Sequence, residues 1–193
     1  MPSNKAELAV RIAAAQPGDA VRGLFFKTVF SLIQQHAGLA ALEAVRVEAL
    51  ATDYSDLRTY PVKDFLTLLY RAADVLESTL GPEDAVFHAC GETGVTRYST
   101  GPGMIIFGII SRGDPQKLFA GAQMGYAAAV TYGSREYLST GPRSGTLRVR
   151  RDMLPPAYHD GILTGALKVL GLKGTARAHA HDVDRVDYDI QWE

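Results

Sequence analysis

The sequence predicts an α+β fold in which an all-helical N-terminal half packs on a four-stranded antiparallel sheet near the C-terminus. The first observation is the alternation from Val186 to Trp192, where every second side chain is aliphatic or aromatic. The second is the stretch Thr175 to His181, where alanines alternate with arginine and histidine. The third is apolar spacing of three and four residues through the first half, which indicates amphipathic helices.

The two C-terminal stretches predict a hairpin with a definite register. A loop over Val183 to Arg185 would pair His181 with Asp187 and His179 with Asp189. The alanines would then lie opposite the apolar side chains of the last strand. Charge and burial agree at every pair in this register, which supports it.

Capping and breaking residues divide the first half into helices. Asn4 and Glu7 form a capping-box-like pair before a helix over residues 6–15. A second helix is predicted over 20–36, and Gly38 separates it from a third over 39–50. A polar loop follows from 52 to 60, after which Pro61 opens a fourth helix and Pro82 a fifth.

The second half begins with helices and then changes period. A short apolar run predicts a helix over 104–110, and Asp114 caps another that extends to about Tyr132. Residues 135–140 and 146–151 flank a glycine- and proline-rich turn, which predicts a first hairpin. Pro155 opens a last helix, and Gly171 ends it. Gly161 and Gly165 in that helix predict a close approach to the sheet.

Composition predicts one ordinary globular protein. The 193 residues comprise a helical arm over 1–53 and one compact unit over 54–193. With 20 basic and 21 acidic residues, the net charge of −1 gives no argument for nucleic acid. A single cysteine excludes an internal disulfide, and no segment predicts a membrane span or signal peptide, so we expect a cytoplasmic protein.

Three passages carry a family resemblance: Arg22 to Phe26, Tyr60 to Leu66 and Tyr188 to Trp192. Together they resemble a paralogous family of unknown function that is expanded in myxobacteria. The helix from Ala157 and its closing hairpin are similar to the superfamily of four-vinyl-reductase domains, haem-nitric-oxide-binding domains and TRAPP vesicle-tethering subunits. This resemblance implies a helical layer over an antiparallel sheet, with an apolar ligand cavity or a dimer surface.

The same resemblance suggests ligand-binding residues. His88 lies among apolar helix neighbours, and haem-nitric-oxide-binding domains pair such a histidine with a Tyr-x-Ser-x-Arg motif that holds the haem propionates. The nearest match runs from Tyr132 to Arg135 and lacks the residue between serine and arginine. Cys90 corresponds by analogy to the acylated cysteine of some TRAPP subunits. The alternatives are a helix histidine with a satisfied neighbour and a small core cysteine.

Two further groups are candidates for ion binding. His179 and His181 lie two apart on one strand face, as metal ligands can; the alternative is a solvated face of His–Asp pairs. Arg143, Arg148 and Arg150 make the first hairpin basic, which suggests an anion site or an acidic partner; the alternative is a charged hairpin face.

These observations predict a non-enzymatic small-ligand-sensing or protein-interaction module. We expect a homodimer that encloses a small apolar ligand between the helices of 62–110 and the sheet. A haem- or metal-based sensor is one alternative, and an enzyme acting on a small anion at the arginine-rich hairpin is another. The sequence lacks a phosphate-binding glycine loop, a His-Glu-x-x-His motif and a Gly-x-Ser-x-Gly elbow. The cofactor, ligand and protein partner stay unknown at this level.

Overall fold

The computed structural model describes residues 4–47, 53–101 and 103–193. The helices are α1 (Lys5–Ala14), α2 (Gly23–Val47), α3 (Val62–Leu80), α4 (Glu83–Thr100), α5 (Met104–Ser111), α6 (Pro115–Ala120), α7 (Ala122–Ala127) and α8 (Pro156–Val169). The strands are β1 (Ala20–Arg22), β2 (Thr59–Pro61), β3 (Ser134–Gly141), β4 (Ser144–Arg150), β5 (Gly174–Asp182) and β6 (Arg185–Trp192).

The C-terminal strands form a four-stranded antiparallel sheet in the order β3-β4-β6-β5. Each hairpin contributes one edge strand, and β4 pairs with β6 in the middle. The four apolar residues of β6 are buried against α8, as the alternation predicts: Val186, Tyr188, Ile190 and Trp192. The α+β architecture predicted from the sequence is therefore confirmed.

The register of the last hairpin differs from the prediction by two residues. His179 lies opposite Asp187 and not opposite Asp189. The cause is a tighter turn, because Asp182 pairs with Arg185 and the register shifts just before Asp182. A shift of two residues leaves every side chain on its predicted face, since side chains alternate with a period of two.

The second helix begins at Gly23 and not at Ala20, because residues 20–22 form β1, which pairs with β2. Gly23 lies so close to the neighbouring loop that an added Cβ would be 2.3 Å from the Ser55 carbonyl oxygen. The predicted stop at Gly38 appears as a break inside α2, with φ +85°. Leu50, the predicted end of the third helix, lies outside the described residues. The predicted loop up to residue 60 ends in β2.

The predicted long helix from Asp114 to Tyr132 is two short helices, α6 and α7, separated at Gly121. Asp114 does cap the first of them, since its carboxylate accepts a hydrogen bond from the Gln116 backbone N–H. Gly121 packs against α5, where an added Cβ would lie 2.3 Å from Ile110 Cγ2. The break between α6 and α7 therefore occurs where Gly121 packs closely against α5.

Helix α8 lies between the sheet and α4, and glycines form the contact with α4. A Cβ on Gly91 would lie 2.0 Å from the Tyr158 carbonyl oxygen, and one on Gly161 would lie 2.0 Å from the His88 carbonyl oxygen. Gly165 contacts α4 as well, 2.6 Å from a Val95 methyl group by the same measure. The prediction that Gly161 and Gly165 approach the sheet is wrong, because the sheet packs on the leucine face of α8.

Within the described residues, no helix combines the length and the apolar character needed to span a membrane.

Candidate ligand-binding site

An apolar cavity of about 100 Å³ lies beside α8, on the side occupied by α5, α6 and α7. Its lining contains no charged residue, histidine or cysteine. The lining residues are Phe25 of α2, Val95 and Tyr98 of α4, Ile106, Phe107 and Ile110 of α5, Leu118, Phe119, Gly121, Ala122, Gly125, Tyr126 and Ala129 in and after α6 and α7, and Ile162, Leu163 and Ala166 of α8. Helix residues and the segment after α7 form its walls, and no residue of the sheet lines it, so it does not lie between the helices of 62–110 and the sheet as predicted.

Small residues of α7 leave this space unfilled. Gly125 faces the cavity, and a Cβ added to it would lie 3.9 Å from Ile110 Cδ1, which is an ordinary contact distance. Across the cavity, α5 carries apolar side chains on both of its faces. Ile106, Phe107 and Ile110 line the cavity, while Met104, Ile105 and Ile109 are exposed. Helix α5 thus covers the cavity as a short apolar layer.

A buried polar cluster lies directly behind one wall of the cavity. Arg135 of β3 forms an ion pair with Asp152, and both side chains are only 1% exposed. His159 of α8 places Nε2 3.2 Å from the same Asp152 oxygen. The other imidazole nitrogen, Nδ1, is 2.9 Å from the hydroxyl of Tyr126, whose ring lines the cavity. The cluster therefore joins the cavity wall to the sheet.

The electrostatics of the cluster favour an ionised Asp152. Burial alone would raise the pKa of this carboxyl, but His159 and Arg135 together hold the pKa well below its ordinary value. The Leu154 backbone N–H also donates a hydrogen bond to Asp152 Oδ1. The Arg135 guanidinium also donates a hydrogen bond to the Tyr132 carbonyl oxygen at 2.5 Å, while its Nε has no partner among the described residues.

Several buried tyrosines surround the cluster. Burial raises the pKa of Tyr126 well above its usual value, and burial followed by the charge of Asp152 does the same for Tyr132 and Tyr188. The hydroxyls of Tyr132 and Tyr188 have no hydrogen-bonding partner among the described residues. Unpaired buried hydroxyls are uncommon, because each one loses its hydration without replacement.

The ligand-binding residues predicted from the sequence lie in different places. His88 is half-buried at the contact between α4 and α8, with Nε2 3.1 Å from the Thr164 hydroxyl. Cys90 is buried in the main core, where burial raises the pKa of the thiol to about 12. Neither of them lines the cavity. Tyr132 and Arg135 belong to the buried cluster behind it.

The arginines predicted to bind an anion do not converge on a common point. Arg148 pairs with Glu136 at 3.5 Å on the sheet face, and Arg150 pairs with Asp187 at 2.6 Å. Arg143 is exposed in the turn between β3 and β4. Their charges are thus distributed over the hairpin, and two of the three are neutralised by acids of neighbouring strands.

His179 and His181 each contact one aspartate on the outer face of the sheet. His179 Nε2 is 3.0 Å from Asp189, and His181 Nε2 is 3.2 Å from Asp187. The two-residue shift in register makes the first contact diagonal across the hairpin instead of direct. Within the described residues, no three histidine, cysteine, aspartate or glutamate side chains gather where they could hold a metal ion.

Tyr126, Asp152 and His159 are the members of the cluster that sequence reasoning did not select. No signal in the sequence marks them, since Asp152 follows Arg150 and Arg151 in a charged run and His159 stands beside Asp160. Their proximity depends on the position of α8 on the sheet, which no local pattern encodes.

Solved structures with the same fold are haem-nitric-oxide-binding (H-NOX) proteins. One from K. algicida with unliganded Fe(II) has a TM-score of 0.68 and 15% identity, covering 89% of this chain and 96% of that one. One from S. oneidensis in the Fe(II)NO state has a TM-score of 0.69 and 13% identity, covering 89% and 99%. An NMR structure of an H-NOX domain from Shewanella oneidensis in the Fe(II)CO state has a TM-score of 0.70 and 13% identity, covering 89% and 98%.

These likenesses assign the chain to the α+β class with the H-NOX fold. The chain belongs to the DUF2378 family, described as a protein of unknown function, whose model matches residues 14–193. No curated protein matches the sequence. The resemblance to a family of unknown function is confirmed. The solved structures share the fold that the more distant resemblance implied.

The cavity does not fit haem. Haem iron needs an axial ligand, usually histidine, cysteine, methionine or tyrosine. None of the five histidines lines the cavity, and neither does the single cysteine. The hydroxyl of Tyr126 is engaged by His159, and burial raises the pKa of Tyr98, which opposes a tyrosinate ligand. Arg135, the arginine expected to hold propionates, is paired with Asp152.

Proposed function

We propose that this chain is a non-enzymatic sensory module that binds a small, neutral, apolar ligand in the helical cavity. The observation that carries the proposal is the lining itself, which offers hydrocarbon and aromatic surface and no charged group. Such a surface favours a molecule that gains by leaving water and needs no hydrogen bond. The H-NOX fold, whose solved examples include iron-containing proteins in NO and CO states, supports a sensory role.

The size of the cavity limits the ligand. A volume of about 100 Å³ is of the same order as engineered apolar cavities of about 150 Å³, which stay dry and bind benzene or xenon. A dissolved gas or a short hydrocarbon meets this limit, whereas a drug-sized molecule needs a pocket of roughly 300 Å³ or more. Helix α5 would have to move for a larger ligand to enter.

Xenon is the probe for this proposal. We expect xenon to shift the NMR signals of lining methyl groups such as those of Ile110 and Leu163, with saturation as the xenon pressure rises. Gly125→Leu adds a side chain directed into the cavity and should raise the half-saturation pressure at least tenfold. Gly108→Leu is the matched control, because Gly108 is exposed on α5, outside the lining. Equal xenon binding by both variants would contradict the proposal.

The haem-based alternative has its own experiment. Haemin is added to the purified protein, and the absorption spectrum is recorded after the excess is removed. We expect no Soret band that survives gel filtration, because the lining lacks an available axial ligand. A stable Soret band that disappears in His88→Ala would replace the apolar-ligand proposal with haem binding at α4.

The same proposal includes a cytoplasmic homodimer. Helices α5 and α7 expose apolar side chains that a second copy of the chain would bury in a dimer interface. These are Met104, Ile105, Ile109 and Met124. Sedimentation velocity on the full chain should give a dimer, and Ile105→Glu together with Ile109→Glu should shift it to monomer. A monomer for the unmodified chain at micromolar concentration would remove the homodimer and leave the cavity proposal unaffected.

A further inference from the structure

We propose that Tyr126 reports occupancy of the cavity to the sheet through His159, Asp152 and Arg135. This inference rests on the proposed function, because it requires a ligand in the cavity. Tyr126 and Tyr98 are the hydroxyl-bearing residues of the lining, and Tyr126 is the one whose hydroxyl contacts the buried polar cluster, through His159. A ligand that contacts the Tyr126 ring therefore contacts the first member of that chain.

The Tyr126 side chain is held from two directions. Its hydroxyl is 2.9 Å from His159 Nδ1, and its ring lies under the guanidinium of Arg135, 4.4 Å from the ring centroid. The ring of Tyr126 also packs against the imidazole, with centroids 5.6 Å apart. Displacement of this ring by a ligand must change its contact with a helix residue and with a strand residue at once.

Asp152 links the two residues that contact Tyr126, namely His159 and Arg135. Its carboxylate contacts both Arg135 and His159, so that α7, α8 and β3 share one buried charge pair. The backbone N–H of Arg135 donates a hydrogen bond to the Gln123 side chain of α7 at 2.7 Å. A shift of α7 is therefore transmitted to the first residues of β3 through both a side-chain contact and a backbone contact.

The cluster also has the components of a second arrangement. The hydroxyls of Tyr132 and Tyr188 are buried and unpartnered, and the Tyr188 ring is 5.7 Å from the His159 ring. When Tyr126 withdraws, His159 Nδ1 can accept a hydrogen bond from Tyr188, whose ring already packs against the imidazole and whose hydroxyl lacks a partner among the described residues. A switch needs two states of similar free energy, and such spare partners reduce the cost of leaving the first state.

The direction of the change follows from this geometry. Filling the cavity lengthens the Tyr126–His159 hydrogen bond and strengthens contacts between His159 and the sheet residue Tyr188. His159 Nε2 lies 3.2 Å from Asp152 without an aligned hydrogen bond, whereas Nδ1 holds the hydrogen bond to Tyr126, so Nδ1 is the nitrogen whose partner changes. The Nδ1 signal of His159 is thus the most direct measure of the switch.

Xenon serves as the probe, and NMR reads three positions in the unmodified chain: the lining methyls, His159 Nδ1 and the Arg135 amide. We expect all three to shift with the same half-saturation pressure. In Tyr126→Phe, which keeps the ring and removes the hydroxyl, lining methyls should still respond, with the half-saturation pressure changed by less than threefold. The Arg135 response should fall at least threefold. Tyr60→Phe removes a hydrogen-bonded hydroxyl outside the cavity and the cluster, and should leave all three responses intact.

The outcomes separate this inference from the proposed function. Lining shifts without a change at His159 Nδ1 in the unmodified chain overturn the relay and leave the cavity as a binding site. An undiminished Arg135 response in Tyr126→Phe does the same. No xenon shift at any lining methyl removes the ligand site and the relay together. The His159 measurement needs no variant, so it decides the matter even if Tyr126→Phe does not fold.

Discussion

Helix α8 has two kinds of neighbour, and both contain many small residues. On the α4 side, glycines allow backbone to touch backbone, as in the contact of Gly161 with the His88 carbonyl. On the α5–α7 side, Gly125 faces an open space bounded by flexible side chains. A small residue therefore allows close packing only where the backbone of the neighbouring element lies near enough to contact it. Where no backbone lies that near, the same residue leaves a cavity.

The open side of α8 is held by charge instead of close packing. Arg135→Met removes one partner of the buried ion pair and leaves Asp152 without its guanidinium partner. Breaking a buried pair in this way costs about 3–5 kcal/mol. We expect the free energy of unfolding, measured by urea denaturation, to fall by that amount, which is the largest change expected of any single substitution on either side of α8.

The control for this comparison is the double variant Arg135→Met with Asp152→Asn, which removes both charges and keeps an oxygen for the Leu154 N–H. It should be more stable than Arg135→Met alone, since no uncompensated charge remains. A single variant within about 1 kcal/mol of the unmodified chain would mean that packing, not charge, holds this side of α8.

The closed side should be sensitive to a single methyl group. Gly161→Ala places a Cβ where the His88 carbonyl oxygen already lies, and neither helix backbone can yield without separating from the other. Overpacking of this kind costs on the order of 3 kcal/mol. The expected result is a lower urea midpoint with an unchanged slope. Gly108→Ala, at an exposed position with nothing within 4 Å, is the control and should not be destabilised.

Much of this fold could be predicted because its signals are local. The alternation in β6 fixed which side chains face α8, and proline and glycine positions located most helix ends. The register of β5 could not be predicted to the residue, because both registers keep the same faces and only the turn geometry separates them. The strand β1 was missed because its residues also suit a helix start, and its partner β2 lies far along the chain.

The site was less predictable than the fold for a physical reason. Gly161 and Gly165 indicated a close approach of α8 to a neighbour, but a glycine does not show whether a backbone or a void lies opposite it. Arg135 was selected from a motif resemblance, yet its partner Asp152 comes from a loop after another strand. A buried ion pair between distant segments leaves no periodic trace in the sequence. Tertiary geometry alone distinguishes it from the other arginine and aspartate residues.

The pKa of Asp160 gives a measure of how well the α4–α8 contact excludes water, with a smaller expected effect on stability. Burial raises the pKa of Asp160, in the first turns of α8, from 3.8 to about 6. Between these values the folded chain binds more protons than the unfolded chain. The free energy of unfolding contributed by this group is therefore highest at low pH and is lost as the pH rises through 6.

Asp160→Asn removes the cost of burying an ionised carboxylate at neutral pH. Because the side chain is partly exposed to water, we expect a gain of only about 1 kcal/mol at pH 7.5, and none below pH 4. Urea denaturation of the variant and the unmodified chain across this pH range gives the measurement. A gain that persists unchanged at pH 4 would show that the asparagine acts through hydrogen bonding and not through the pKa of Asp160.

The smallest expected effect provides the sharpest test, because its sign is opposite to that of Gly161→Ala. In Gly125→Ala the new Cβ meets Ile110 at 3.9 Å, so it gains an ordinary contact and forces no movement. Replacing a helical glycine by alanine also restricts the unfolded chain. Together these terms should stabilise the protein by about 0.5–1 kcal/mol. Thermal unfolding followed by circular dichroism should resolve the shift.

The two alanine variants differ only in what lies opposite the new methyl group. If Gly125→Ala is as destabilising as Gly161→Ala, α7 is already packed against α5 and the cavity is not open in solution. If both are stabilising, the α4–α8 backbones are farther apart than the contact at Gly161 requires. If α8 has a close backbone contact on one side and a ligand-sized space on the other, Gly161→Ala must lower the stability of the protein and Gly125→Ala must raise it.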